Sequence, residues 1–157
     1  MQADLQFQTL CQQLDCVLDG DIKIGGSYTP VIADGHVLYV SGQVPRVGDE
    51  LRVTGRVGSE VALSQAQLAA KICVLRALAF LQRQLGSLEH IQQILRLTVY
   101  VQCADNFTQH SEVADAASDV LTQVLGQAGL HSRTSVGVYQ LPKNASVELD
   151  VIAAAKH

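Results

Sequence analysis

The chain has 157 residues, 48% of them hydrophobic and 17% charged, enough for one domain that buries roughly two-thirds of its unfolded surface. A formal net charge of −4, no Trp and only 4% aromatic residues argue against a basic, base-stacking surface for nucleic acid. No window approaches the run of about 18 uninterrupted apolar residues that marks a membrane span.

Residues 3–18 place Leu5, Leu10, Leu14, Val17 and Leu18 at helical spacings among Gln and Asp, predicting an appended amphipathic helix that ends at Asp19-Gly20. Residues 1–20 are therefore set apart from a single α+β domain over 21–157. Two short strands, Thr29 to Ala33 and Val37 to Ser41, meet at the Asp34-Gly35 turn, and a third is expected from Leu51 to Val57, twisted or bulged at Gly55 and Gly58. Ser64-Gln-Ala-Gln67 has the form of a capping box and opens a long helix that Gly86 stops. Leu95 to Gln102 is a strand, and Val113, Ala117, Val120, Leu121 and Val124 mark a helix closing near Gly126 and Gly129. Arg133 to Gln140 and Ser146 to Ala154 read as a final hairpin about the Leu141-Pro-Lys-Asn-Ala145 connector.

The order predicts a mixed sheet of about six strands with two long helices on one face. Val136 and Val138 are assigned to the helix-covered face with Val147, Leu149 and Val151. The open face then carries small and charged residues with Tyr139 and Ile152, a mixture suited to a subunit interface containing polar pockets. Cys11, Cys16, Cys73 and Cys103 form no Cys-x-x-Cys pair and fall in apolar or helical patterns, and the first residues lack the basic start and apolar run of a signal peptide. Both features predict a soluble, cytoplasmic protein with reduced thiols.

Phosphate-loop, zinc-protease and nucleophile-elbow motifs are absent, and His36, His90, His110, His131 and His157 lack metal-ligand spacing, so no cofactor and no metal are assigned. Three local features stand out. Gly42 in Tyr39-Val-Ser-Gly-Gln-Val-Pro45 would let a ligand approach the main chain. Arg133 opens a strand, and Glu148 lies in mid-strand, where a carboxylate costs stability unless paired, hydrogen-bonded or wet.

Together, Tyr28 in Gly-Ser-Tyr-Thr-Pro, Leu38 to Pro45, Gly55-Arg-Val-Gly58, Leu97 to Val101, Arg133 with Leu141-Pro142, and Val147-Glu148-Leu149 resemble the reactive-intermediate deaminase family (Rid, YjgF-like, "endoribonuclease L-PSP"). The resemblance runs from about Gly25 to Ala154. It implies a chorismate-mutase-like subunit, a homotrimer with clefts between subunits, and hydrolysis of small enamine or imine carboxylic acids without a cofactor. By the same resemblance Arg133 holds the substrate carboxylate, Glu148 positions or activates water, and Tyr28, Ser41 and Gly42 line the cleft. A guanidinium suits the first task because it grips a carboxylate through two parallel bonds.

The chain departs from the family in its N-terminal helix and its longer segment before Arg133, which imply a less-characterised branch, and at two positions. Ser135 stands where many members have Cys, and Asp115 falls near a cleft-lining Asn, where a carboxylate would compete with an anionic substrate. These departures keep a second reading open, a small-carboxylate (2-oxo acid) binding or regulatory module without turnover; a ribonuclease is a more remote one. Hairpin pairing of the last two strands would leave Arg133 and Glu148 on the order of 20 Å apart, so a joint site is expected to take them from neighbouring chains.

Overall fold

In the computed structural model, which describes residues 2–157, the first element is helix α1 (Gln2–Gln13). It buries Ala3, Phe7 and Leu10, whereas Leu5 is left exposed. The helix is shorter than the spacing predicted because Asp15 turns the chain into the left-handed region at φ 50°. Its N-terminus is tied down by Asp4, whose carboxylate accepts from Leu88 N at 2.9 Å and Gln82 Nε2 at 2.7 Å.

Strands β1 (Val31–Asp34) and β2 (Val37–Gln43) pair antiparallel with Asp34 opposite Val37. The hairpin loop is therefore Gly35-His36, one residue later than expected, with glycine at the position of positive φ (61°). The expected third strand does not join the sheet. Arg46–Val47 (β3) and Glu50–Leu51 (β4) pair as a separate two-residue ribbon, and beyond them Thr54 and Val57 make isolated bridges to Ala145, Val61 and Cys103. Gly55 and Gly58, at φ 109° and 98°, then break the extended backbone.

Helix α2 (Leu63–Leu85) starts at Ala62, and Gln65, not Gln67, reaches back to accept from the Ala62 N–H at 2.9 Å. It ends at Gly86 in the left-handed conformation. Although it is long and apolar enough to span a membrane, 67% of its most apolar window is buried inside the domain. Strand β5 (Ile91–Gln102), helix α3 (His110–Leu125) and strand β6 (Ser132–Val138) form one crossover unit, so β6 runs parallel to β5. Strand β7 (Val147–Ala155) pairs antiparallel with β5 and β2, completing the order β1-β2-β7-β5-β6.

Two expectations fall here. The final two strands are not a hairpin, because β5 lies between them and the 139–146 connector crosses its end. Gln102, fully buried at that end, accepts from Leu141 N at 2.7 Å and donates to Asn144 Oδ1 at 2.7 Å. The facing of β6 is also reversed. Parallel pairing aligns Arg133, Ser135 and Gly137 with Leu97, Val99 and Val101, which pack under the helices, so Val136 turns to the open face and is 40% exposed. Tyr139 lies beyond the strand, beside Arg56. The sheet has five strands, not six, with the core between its aliphatic face and α2 and α3.

Arg76 of α2 is 3% exposed and donates to Gln43 Oε1 at 3.0 Å, the Arg46 carbonyl at 2.9 Å and the Lys23 carbonyl at 2.6 Å. Arg76→Met strands three acceptors, so it should cost about 3 kcal/mol and lower Tm on the order of 10 °C. Thermal melting checks this, and an unchanged Tm would contradict the role.

Candidate functional site

Strand β2 departs from two-residue alternation at Ser41-Gly42. Val40 pairs with Val151 and Gln43 with Leu149, so two residues of β2 face the single Asp150: a β-bulge. The bulge puts Gly42 against Glu148, where a Cβ would stand 2.3 Å from Oε2 of the carboxylate. Gly42 thus serves the close approach of a side chain from the adjacent strand, a role the sequence reading had assigned to a ligand. Ser41 donates its hydroxyl to the Thr29 carbonyl at 2.8 Å, which leaves its oxygen able to accept.

Glu148 sits on the open face of β7, opposite Tyr100 of β5. Its carboxylate has no hydrogen-bond or ion-pair partner among the described residues. Burial, and secondarily the Asp150 charge two residues along, push its pKa up. Asp150 is likewise raised by burial, opposed by a hydrogen bond from Tyr100 and by Arg96. Tyr28, packed over Gly26, closes the other side. Tyr28, Ser41, Gly42 and Glu148 line one cleft of about 410 Å³, together with Arg46 and Lys143. The sequence reading missed those last two. Arg46 is fixed at its carbonyl by Arg76. Lys143 is carried by a backbone at φ 57°, next to Asn144 at φ 61°, in the connector that Gln102 anchors.

Arg133, Asp115 and Ser135 lie elsewhere. From the edge strand β6, Arg133 turns toward α3 and donates through Nη1 to Asp115 Oδ1 at 2.8 Å and to Ser118 Oγ at 3.0 Å. His131 completes the set, with Nδ1 2.7 Å from the Gly129 carbonyl and Nε2 2.8 Å from Ser118 Oγ. The carbonyl requires a proton on Nδ1, and Ser118 Oγ links the guanidinium to the imidazole by accepting from Arg133 and contacting Nε2. Ser135 follows on the same face as Arg133.

Through Leu97, Arg133 lies level with Val151, three residues from Glu148 and two strands away. That separation is about 14 Å along the sheet, less than hairpin pairing gave, but the two side chains leave opposite faces. Within one chain they do not meet. Among the described residues no group of three or more His, Cys, Asp or Glu is placed to hold a metal ion.

Residues 18–154 match the family model described as "YjgF/chorismate mutase-like, putative endoribonuclease". TCP17 of Trypanosoma cruzi is 36% identical over 142 residues, covering 90% of this chain and 89% of its own. The crystal structure of Atu1372, a protein of unknown function from Agrobacterium tumefaciens, superposes with a TM-score of 0.86 at 33% identity, over 98% of this chain and 92% of its own. A Shewanella oneidensis protein described as a "putative endoribonuclease" gives the same TM-score at 28% identity, over 94% and 98%.

Because burial raises the Glu148 pKa, its ionisation costs folding stability as pH rises from the unfolded carboxylate value through the folded one. Glu148→Gln should therefore melt higher than the unsubstituted chain at pH 7, with the gap closing below about pH 4. Equal melting at both pH values would contradict the burial argument. Gly42→Ala should retain the fold but displace the carboxylate, which a crystal structure would show directly.

Proposed function

Since this chain belongs to the YjgF/chorismate mutase-like family, which carries a small-molecule deaminase or endoribonuclease-like role, we propose that it hydrolyses small imine or enamine carboxylic acids of the 2-aminoacrylate/2-iminopropionate type. The reading rests on one observation above the others: a half-buried, unpartnered carboxylate, Glu148, facing a cleft of about 410 Å³, a volume suited to a small ligand. It places the cleft of one subunit against the Arg133 edge of its neighbour in a homotrimer. The exposed apolar residues of the open face, Ile32, Tyr39 and Val136, support such an interface.

In this mechanism Arg133 of the neighbouring chain binds the substrate carboxylate and fixes the iminium carbon over Glu148. Nη2 and Nε, which Asp115 and Ser118 do not use, are the donors for it. Glu148 orients a water and takes its proton as the oxygen adds to the C=N carbon. A raised pKa makes it a stronger base than an ordinary carboxylate. As the C–N bond of the carbinolamine breaks, the proton held by Glu148 goes to the departing nitrogen and the hydroxyl proton follows it as C=O forms. The products are one 2-oxo acid and one ammonium ion, with Glu148 again a carboxylate. Tyr28 and Ser41 limit where the substrate sits.

The Arg133–Asp115 pair at 2.8 Å favours a second reading, a carboxylate-binding module without turnover, in which Asp115 competes with the ligand. Asp115 is 60% exposed, and exposed pairs contribute only about 0–1 kcal/mol, so a substrate carboxylate can displace it. Ammonia release from enzymatically generated 2-iminopropionate separates the two. Turnover should fall by about a hundredfold or more in both Arg133→Ala and Glu148→Gln. Binding of a 2-oxo acid that is lost in Arg133→Ala, with no ammonia released by the unsubstituted protein, would favour the binding module. Ammonia release unaffected by Arg133→Ala would contradict both.

A further inference from the structure

The cleft around Glu148 contains two cations that the mechanism above does not use. Arg46 stands at the start of β3, and Lys143 projects from the connector between β6 and β7. Neither side chain makes an ion pair among the described residues, Asp49 feeling the Arg46 charge only at longer range, and Arg46 Nε is buried without any hydrogen-bond partner. Nε is closed to solvent, so the donors left for a ligand are Nη1 and Nη2, which are not buried and make no hydrogen bond among the described residues. Nor do these cations serve to neutralise Glu148, since burial and Asp150 account for the direction of its pKa and no ion pair joins either cation to it. The fold also invests in their placement. Arg76 holds the Arg46 carbonyl from inside the core, and Gln102 holds the segment in which Lys143 and Asn144 both adopt left-handed backbone, an unfavourable conformation for non-glycine residues.

We propose that Arg46 and Lys143 form a second anion subsite, so that the preferred ligand is a 2-oxo or 2-imino acid bearing another anionic group, carboxylate or phosphonate, at its far end. The proposal rests on the function proposed above for the first carboxylate, which Arg133 of the neighbouring subunit takes. The second charge meets a planar guanidinium whose two terminal nitrogens make no hydrogen bond among the described residues and a flexible ammonium, a pair able to accommodate either a flat or a tetrahedral anion. A ligand with one carboxylate leaves this subsite to water.

Calorimetric titration of the intact protein with 2-oxobutyrate, 2-oxoglutarate and phosphonopyruvate tests the inference without needing turnover. At least one dianion should bind about tenfold to a hundredfold more tightly than 2-oxobutyrate, and which one does identifies the second group. Arg46→Gln and Lys143→Gln should each reduce that preference and together abolish it, leaving 2-oxobutyrate affinity unchanged, while Arg46→Lys should restore part of it. Matching thermal melts exclude misfolding, since the Arg46 contact to Arg76 is made by its backbone. No preference for a dianion, including no binding by any of the three, overturns the proposal, as does a preference that survives the double substitution. Arg133→Ala separates the two layers. If it abolishes 2-oxobutyrate binding where no dianion preference exists, the first reading stands and this one falls. If the preference exists but Arg133→Ala changes nothing, the first reading falls alone.

Discussion

A carboxylate in the middle of a central strand needs space, water or a partner, and the cleft is organised around the way Glu148 obtains the first two. Its neighbour on β2 lacks a side chain, and the bulge at Ser41-Gly42 brings that bare backbone alongside the carboxylate. Replacing Gly42 with any larger residue would fill the volume that Glu148 occupies. Burial then raises the proton affinity of the carboxyl group without removing it from the cleft. A basic group that remains reachable is what proton transfer from water requires.

Two buried polar side chains carry this arrangement outward. Arg76 binds one side-chain oxygen and two carbonyls, so α2, the end of β2, the start of β3 and the segment around Lys23 are tied together. Gln102 does the same for the connector over the end of β5. Neither residue touches the cleft, yet together they fix the backbone of both cations in its wall. The polar groups in this core are few and well satisfied, which is the condition under which buried polarity confers a specific arrangement.

Much of the fold was legible because periodicity and caps are local. The helices starting at Leu63 and His110, the Leu95 to Gln102 part of β5 and the β1–β2 hairpin follow from residues within a turn or two of one another, whereas β5 begins four residues earlier than its β-branched run suggests. The face carrying Arg133 was misread because it depends on a non-local choice. The Leu141-Pro-Lys-Asn-Ala145 connector has the residues of a hairpin turn, whereas β5-α3-β6 is a crossover unit whose hand and packing force parallel pairing. That pairing turns Arg133, Ser135 and Gly137 toward α3. The bulge was also present in the sequence, as Leu38 and Val40 followed by an inward Gln43, a one-residue slip of phase. Gly42 and Glu148 stand out locally, Tyr28 and Ser41 only through family resemblance, and all four share one cleft. Arg46 and Lys143 were overlooked because nothing in sequence spacing relates residue 46 to residue 143.

The proposed site is divided between chains: Glu148 on the open face of one subunit and Arg133 on the α3 side of the next. Co-expressing Arg133→Ala and Glu148→Gln chains, separately inactive, and isolating mixed oligomers through two affinity tags tests that division directly. In a trimer with one cleft per interface, every mixed assembly regains one intact pairing of Glu148 with Arg133, so about one-third of the unsubstituted activity should return. Mixed oligomers as inactive as their parents would contradict a site shared between subunits.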